Sequence, residues 1–460
     1  MSTTEPKSSS DEFEPKTLEA GGEQSPAMVD DAEVAAPTAA PAPAASQQSQ
    51  IPNGGLQAWL QVLGAHLLFF NSWGIVNTFG AFQAYYESDL LSHESSSNIS
   101  WIGTFQGFLL IAIGSVTGPV FDLGYFRSTL SVGAFLIVFG LMMTSLGTEY
   151  YQIFLAQGLC VGLGTGCLFL PSVAIVATYF STKRALAMGI TAAGGSIGSV
   201  IYPIVFRKLQ PQIGFPWATR VLGFIALFTL TISVLLMKPR LPPPSKTHSL
   251  FDSAAFKSMP YVIFSIGLFL AFIGLYIPFF YIVLAGERRY DLPEDLSNYM
   301  LSVLNAASVF GRIIPGLLAD KSGSLEILTY CTISAAIMSF CWAAVHNLGG
   351  LVVYCLFYGF LSGAVVSLPT TVVAGLVPEL RLMGTWMGMS FSFAGLGLLI
   401  GNPIAGTIIN VAENKFTGGF FFSASTVIAA GVIFVGVGIY RPASFNWWKK
   451  VTGTQREVQQ

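Results

Sequence analysis

The chain has 460 residues, of which 53% are hydrophobic and only 10% are charged, and its formal net charge is −2. An average soluble domain carries about 25% charged residues, so this composition excludes an ordinary soluble protein. The near-neutral balance argues against a nucleic-acid partner. The five cysteines lack metal-ligand spacing, so we predict neither a metal site nor a cofactor.

Residues 1–52 are rich in Ser, Ala, Pro, Glu and Gln and hold almost no large apolar side chains. Such a segment cannot bury enough apolar surface to offset the entropy lost on ordering. We therefore predict a disordered cytosolic tail ahead of the folded part of the chain.

Twelve apolar runs follow, each long enough for the roughly 20 residues that a membrane-spanning helix needs. A Pro-rich stretch predicts a cytosolic linker at 238–257, between a six-helix N-terminal half, 53–237, and a six-helix C-terminal half, 258–442. A cytosolic tail, 443–460, follows. The predicted spans are 58–84, 101–121, 128–147, 151–176, 186–206, 217–237, 260–284, 298–318, 325–345, 350–375, 383–410 and 418–440.

The two halves repeat each other. Asp122 ends the second span in Gly-Pro-Val-Phe-Asp, and Asp320 ends the eighth in Gly-Leu-Leu-Ala-Asp, 198 residues later. Pro171 and Pro369 are also 198 residues apart. Shared offsets indicate a duplication, and paired six-helix halves around a site near the membrane midplane are typical of such repeats. We predict an all-α membrane protein with this architecture.

Basic residues predict the orientation, because Lys and Arg accumulate in cytosolic loops. With both termini in the cytosol, 15 of them fall on that side and about six fall outside. The first outer loop carries Asn98-Ile-Ser, which makes Asn98 a candidate glycosylation site. We expect a multi-pass protein of the plasma membrane that acts as a monomer.

The loops after the second and eighth spans place an acid near a base. Asp122 precedes Arg127, and Asp320 directly precedes Lys321. Our hypothesis is a cytosolic gate in which these pairs latch the two halves together. The alternative is an ordinary interfacial ion pair worth about 0–1 kcal/mol; the duplication favours the latch.

Several motifs resemble known families. The repeated Gly-x-x-x-Asp loop is similar to the signature of the major facilitator superfamily. The run from Tyr179 through Lys183-Arg184 to Gly194 resembles the fifth-span signature of the monocarboxylate transporter family. The run 53–59 resembles that family's first-span motif, with Asn where an acid is usual, and 274–281 resembles the seventh span of fungal members. The resemblance covers most of 53–442 and implies the major facilitator fold.

Arg312 is the one Lys or Arg deep in an apolar run, and no Asp or Glu in those runs can pair with it. A charge at membrane depth costs roughly 2.5–3.5 kcal/mol on insertion scales. The expected partner is an anionic solute, whose carboxylate a planar guanidinium can bind with two hydrogen bonds. The resemblance implies the same role, because family members bind small carboxylates with an eighth-span arginine. The alternative is that Arg312 bonds backbone carbonyls or extends to the cytosolic interface.

Polar and aromatic side chains in neighbouring spans are candidate companions of Arg312 in a substrate site. For each Asn taken singly, an interhelical hydrogen bond worth about 0.6–2 kcal/mol is the alternative. The candidate substrate-binding residues are Asn77, Asn305, Asn402 and Tyr281, and the aromatic residues Trp73, Phe279 and Phe280 are further candidates for shaping the pocket.

His66 is the only His deep in a span, and it is the candidate proton carrier because His titrates near neutral pH. A structural role is the alternative. Animal members of the resembling family have an Asp where this chain has Ser308, and a Lys that aligns with Asn77. Both differences remove groups linked to proton coupling, so lactate-type symport does not follow from the resemblance.

The main prediction is a secondary active transporter that moves a small, monocarboxylate-like organic anion by alternating access, with proton coupling left open. The alternatives are an exporter of a fungal secondary metabolite, an uptake carrier for another metabolite such as riboflavin, and a non-transporting membrane sensor. An enzyme would need a cluster of His, Asp, Ser or Cys on one face, and the sequence shows none, so we do not predict an enzyme.

Overall fold

The computed structural model describes residues 52–240, 252–378, 382–409 and 416–440. The predicted tails at 1–52 and 443–460, apart from Pro52, and the middle of the predicted linker lie outside the described residues. Within the described ranges every regular element is a helix, as the composition predicts.

Eleven helices in the described residues are long and apolar enough to cross a bilayer. One of them, Arg184–Leu236, has 53 residues and consists of two crossing segments, so twelve segments match the twelve predicted spans. We number them α1 Leu56–Leu90, α2 Asn98–Asp122, α3 Phe126–Thr144, α4 Tyr150–Tyr179, α5 184–213, α6 215–236, α7 Met259–Arg289, α8 Glu294–Ser322, α9 Ser324–Trp342, α10 Leu348–Leu376, α11 Met383–Ile408 and α12 Thr417–Tyr440.

Gly214 separates α5 from α6. An unbroken helix of that length would extend about 80 Å, far beyond the roughly 30 Å hydrocarbon core of a bilayer. Gly214 has a φ of 78°, in the left-handed region that glycine adopts without a steric penalty, and Pro211 and Pro216 flank it. The chain reverses direction there.

The helical hydrogen-bond pattern is interrupted at Thr78 in α1 and at Tyr276 in α7, positions that are 198 residues apart. In α7 the cause is Pro278, which has no N–H to donate to the carbonyl of Gly274. That carbonyl instead accepts a hydrogen bond of 2.8 Å from the Ser423 hydroxyl in α12. The two halves therefore share an interruption of the helical hydrogen bonds at equivalent positions, in addition to the sequence motifs that indicate duplication.

Contacts between the N-terminal segments α1–α6 and the C-terminal segments α7–α12 run mainly along two helix pairs, α2 with α11 and α5 with α8. The backbones approach closely: a Cβ at Gly118 would overlap the carbonyl oxygen of Gly384, and one at Gly189 would overlap that of Arg312. Small residues permit such approach between membrane helices. We call the end of the bundle at which α2 and α8 finish the inner end, because the sequence predicts it to be cytosolic.

Candidate functional site

Arg312 lies inside α8 and is only 3% exposed. Ten residues separate it from Ser322 at the end of the helix, which corresponds to about 15 Å at 1.5 Å per residue. The side chain therefore does not extend into water at the inner end.

The Arg312 guanidinium has one hydrogen-bond partner among the described residues, the carbonyl oxygen of Ala192 in α5, to which Nη1 donates. Its Nε is buried and donates to no described group. The ionisable group that acts on it most strongly is the Tyr276 hydroxyl of α7 rather than a carboxylate. The predicted alternative of a carbonyl partner thus accounts for one edge of the guanidinium and leaves Nε unsatisfied.

Aromatic side chains from both halves surround this position. The rings of Trp73 in α1 and Tyr276 in α7 are nearly parallel, with an interplanar angle of 8° and centroids 5.6 Å apart. Phe169 in α4 meets Trp73 edge-on at 5.8 Å, and Phe391 in α11 meets Phe169 at 5.5 Å. We call Trp73, Phe169, Tyr276, Arg312 and Phe391 the central cluster; all five are buried.

Gly195 in α5 allows two members of the central cluster to meet. A Cβ added there would lie 2.9 Å from Trp73 Cβ and 3.2 Å from Arg312 Nη1. Because glycine has no side chain, the indole of α1 and the guanidinium of α8 lie beside the same point of the α5 backbone.

Three hydrogen-bond donors of the central cluster have no partner among the described residues: Trp73 Nε1, the Tyr276 hydroxyl and Arg312 Nε. A buried polar group left unsatisfied costs about 1–3 kcal/mol, and more when it is charged. The indole and guanidinium N–H groups can only donate, whereas the phenol can also accept. The arrangement suits a solute that presents hydrogen-bond acceptors or a negative charge.

Asn305 lies two helical turns from Arg312 on α8 and so shares its face. Its Nδ2 donates to the carbonyl of Leu301 at 3.1 Å, while its buried Oδ1 has no partner in the described chain. Asn77 instead donates to Ser199 Oγ of α5 at 2.7 Å. The two predicted companions therefore differ: one keeps an unpaired acceptor, and the other is committed to helix packing.

Asn402 and Tyr281 lie together at the contact between α11 and α7. The Tyr281 hydroxyl donates to the backbone oxygen of Asn402 at 3.2 Å, and Asn402 Oδ1 is buried without a described partner. Their described contacts join them to each other rather than to Arg312. Phe279 packs on Tyr276 with centroids 5.5 Å apart, whereas Phe280 is 45% exposed and lies outside the cluster.

His66 lies two turns before Trp73 on α1 and is half-buried. Its Nδ1 is 2.7 Å from the carbonyl oxygen of Ile190 in α5. Because a carbonyl only accepts, Nδ1 carries the hydrogen in this contact, and Nε2 is the nitrogen that would take up a further proton. The structure places His66 in the packing of α1 on α5, within the N-terminal half.

At the inner end, Asp122 holds the first turn of α11. Its carboxylate accepts from the backbone N–H groups of Gly384 at 2.9 Å and Thr385 at 2.7 Å, and from the Thr385 hydroxyl at 2.8 Å. The first N–H groups of a helix lack partners within it and carry partial positive charge. One carboxylate thus satisfies several donors across the two halves.

Asp320 makes the equivalent contact with the first turn of α5, accepting from the N–H groups of Ala185 at 2.8 Å and Leu186 at 3.0 Å. We call the two contacts of Asp122 and Asp320 the inner latches. The predicted bases, Arg127 and Lys321, are exposed, and the carboxylates bond helix N-termini instead. Exposed ion pairs gain little in water, whereas helix N–H groups are fixed donors.

Short segments ahead of α1 and α7 brace the same two helix starts. The Asn53 Oδ1 accepts from the N–H groups of Ser181 at 2.6 Å and Thr182 at 2.9 Å, just before α5. Asp252 Oδ2 accepts from the indole N–H of Trp386 in the first turn of α11 at 2.9 Å. Trp386 directly follows Thr385 of the inner latch, so the end of the linker contacts the latched turn.

Asn98 lies in the first turn of α2 and is exposed. Its Nδ2 donates to Glu94 Oε2 at 2.9 Å, and its backbone oxygen accepts from the Tyr150 hydroxyl at 3.0 Å. The amide that a glycan would modify is therefore accessible but already hydrogen-bonded.

Sequence reasoning named Arg312 and Trp73 but missed Tyr276, Phe169 and Phe391. Tyr276 has a signal in the sequence, since it stands two residues before Pro278 at the place where α7 is interrupted. The two phenylalanines have none, because nothing in the sequence distinguishes them from the other Phe among the 37 in the chain.

The fold defines a helical membrane protein built from two six-helix halves, and comparison with known proteins agrees. The chain matches the family described as Major Facilitator Superfamily over residues 62–385, more than half of its length. It belongs to the major facilitator superfamily and is a multi-pass membrane transporter rather than an enzyme.

Its relatives are fungal transporters. It is 44% identical to the "MFS-type transporter dbaD" of Emericella nidulans over 382 residues, which cover 83% of this chain and 86% of the relative. It is 38% identical to the "Aspyridones efflux protein apdF" of the same organism over 86% of this chain and 80% of the relative. Neither is named a monocarboxylate transporter, so these relatives support the superfamily and not the narrower resemblance.

Among solved structures, the fold resembles that of a bacterial homologue of the iron transporter ferroportin in an outward-facing state. The TM-score is 0.66 at 13% sequence identity, and the match covers 82% of this chain and 98% of that one. At this identity the likeness concerns the fold alone.

Proposed function

We propose that this transporter exports a small organic product of fungal secondary metabolism across the plasma membrane, with both termini in the cytosol. The observation that carries the proposal is the 38% identity, over 86% of this chain, to a protein named an efflux protein for aspyridones. Export of such a product therefore has more support than transport of a monocarboxylate, which is the main expectation from the sequence.

The expectation of a small monocarboxylate-like anion loses support at two positions where animal members of the resembling family carry a charge. Ser308 stands where the resembling family has an Asp, and it accepts a hydrogen bond of 3.2 Å from Ser196 of α5. Asn77 stands where that family has a Lys, and it is bonded to Ser199. Both positions serve contacts with α5, and neither supplies a charge to the site.

The central cluster supports recognition of an organic solute that carries hydrogen-bond acceptors. Its members come from α1, α4, α7, α8 and α11, so a solute held there contacts both halves at once. Binding would satisfy the Arg312 Nε, the Trp73 indole N–H and the Tyr276 hydroxyl, which are buried without described partners. An anionic solute would in addition neutralise the guanidinium within the membrane.

Alternating access would then proceed through the inner latches. Release of Asp122 from α11 and of Asp320 from α5 parts the halves at the inner end and admits solute from the cytosol. Re-forming both latches closes that end, and the solute leaves on the opposite side. His66 remains the candidate if export is coupled to proton entry.

The test is a comparison of metabolites inside and outside cells that carry or lack this chain. Export predicts that one or more metabolites accumulate inside the deletant and fall in its medium. Depletion inside the deletant would indicate uptake, and an unchanged distribution, together with binding but no flux of labelled solute, would indicate a sensor. Either result would contradict the proposal.

A further inference from the structure

We infer that the solute carries a planar conjugated ring, which enters between Trp73 and Tyr276, and an anionic oxygen, which binds the Nε edge of Arg312. This inference rests on the proposed export and specifies its substrate class. A small aliphatic acid would use the guanidinium and leave the paired aromatic faces without a role.

The geometry of the two rings carries the argument. Trp73 and Tyr276 belong to opposite halves, lie within 8° of parallel and have centroids 5.6 Å apart. An aromatic ring that stacks on both faces needs carbon contacts of about 3.5 Å on each side, and therefore a separation near 7 Å. A parting of the halves that brings the two ring planes to this separation opens the slot, and neither ring has to rotate.

The unsatisfied donors lie on the two sides of this slot. Trp73 Nε1 belongs to one wall and the Tyr276 hydroxyl to the other, and the Arg312 guanidinium lies beside Trp73 where both approach Gly195 of α5. Because Nη1 of Arg312 is bonded to Ala192, the guanidinium is fixed in orientation. The opposite edge, formed by Nε and Nη2, is one with which arginine binds a carboxylate through two parallel hydrogen bonds.

Apolar walls enclose the slot. Phe169 contacts Trp73 edge-to-face, Phe391 contacts Phe169, and Phe279 contacts Tyr276. These rings supply apolar surface and no further charge, so the slot combines one cation with extended aromatic surface. A conjugated acid or enolate matches that combination, since its ring stacks while its oxygen meets the cation.

The experiment titrates the purified full-length chain with three probes of matched size: 2-naphthoate, decahydro-2-naphthoate and 2-naphthamide. Binding is measured by the thermal shift of the protein and by quenching of its tryptophan fluorescence. We expect 2-naphthoate to bind at least 10-fold more tightly than the saturated acid and than the neutral amide. Absence of 2-naphthoate binding, or equal affinities for the two acids, would overturn the inference.

Variants assign each preference to its residues. Trp73→Leu and Tyr276→Leu should remove the preference for the planar acid over the saturated one, whereas Arg312→Ala should remove the preference for the acid over the amide. Trp73→Phe keeps a stacking ring without the indole N–H, so it should retain the planar preference. It serves as the test at this position if Trp73→Leu fails to fold, and loss of the preference in Trp73→Phe would contradict stacking. Trp101→Leu, at a 49% exposed position, is the matched control.

If the folded Trp73→Leu and Tyr276→Leu variants still prefer the planar acid, the ring of the solute binds elsewhere and the inference is wrong. That outcome leaves the proposed export intact, since the metabolite comparison does not depend on these probes. Conversely, an unchanged metabolite distribution would contradict export even if the probe preferences hold.

Discussion

Arg312 shows how one buried cation can be tolerated without an acid. Its only described hydrogen bond goes to the Ala192 carbonyl, which leaves most of the charge uncompensated by protein. A guanidinium stays protonated and is more weakly hydrated than an ammonium, so arginine suits this depth better than lysine. Under the proposed function, an arriving anion would neutralise this charge within the membrane.

We expect Arg312→Ala to abolish transport of an anionic solute while the protein still inserts into the membrane. Arg312→Lys should restore less than a tenth of the rate, because an ammonium cannot form the paired hydrogen bonds of a planar fork. Cellular solute flux, normalised to surface protein, measures both effects. Arg288→Ala, at an exposed position, is the control, and flux retained by Arg312→Ala would contradict the assignment.

His66 provides a second prediction at the residue scale. If proton movement is coupled through its Nε2, His66→Ala should flatten the dependence of transport on external pH between about 5.5 and 7.5, where His commonly titrates. His93→Ala, at an exposed position, should leave the pH profile unchanged. An unaltered pH profile in His66→Ala would show that His66 does not carry the proton and that its role is the hydrogen bond with Ile190.

At the scale of the helix, the inner latches share a design. In each, a carboxylate at the end of one helix caps the start of a helix in the other half, and the two copies are related by the duplication. Arg127 and Lys321 lie in solvent nearby. The partners of a capping carboxylate are backbone N–H groups, which every residue except proline has. The sequence could therefore identify the two acids but could not predict which helix starts they contact.

We expect Asp122→Asn or Asp320→Asn to shift the protein toward an inner-open state. Loss of a charged acceptor at a helix N-terminus costs about 1–2 kcal/mol, a 5- to 30-fold change in an equilibrium constant. Spin labels at Ser128 in α3 and at Lys257, two residues before α7, occupy exposed positions and report the distance between the two halves at the inner end in a background without the native cysteines.

In that experiment the double substitution should widen the distance distribution more than either single one. Asp291→Asn, at an exposed position away from the latches, should leave it unchanged. Distances that stay the same in Asp122→Asn and Asp320→Asn would show that the carboxylates do not hold the inner end closed.

The braces ahead of α1 and α7 support the same two helix starts. Asp252→Asn keeps the size of the side chain but weakens its acceptor for Trp386 Nε1, so the first turn of α11 should loosen. We expect the same direction of change in spin-label distance as for Asp122→Asn, with a smaller amplitude. Narrowing of the distances would contradict a supporting role.

For the whole molecule, the bilayer made most of the fold predictable. A spanning helix must satisfy its own backbone and present about 20 apolar residues, so the spans can be read directly, and Gly214 explains where the 53-residue helical run divides into two of them. The central cluster could not be predicted in full, because Phe169 and Phe391 lie more than 200 residues apart in sequence and meet only through the packing of α4 on α11.

The central claim is that solute leaves the cell through the site around Arg312. The most direct measurement is the ratio of intracellular to extracellular metabolite in deletant cells re-expressing the wild type, Arg312→Ala or Arg288→Ala at equal surface abundance. The account predicts that the wild type and Arg288→Ala lower a ratio raised by deletion, and that Arg312→Ala does not. Equal rescue by all three, or no metabolite whose ratio responds to deletion, would contradict it.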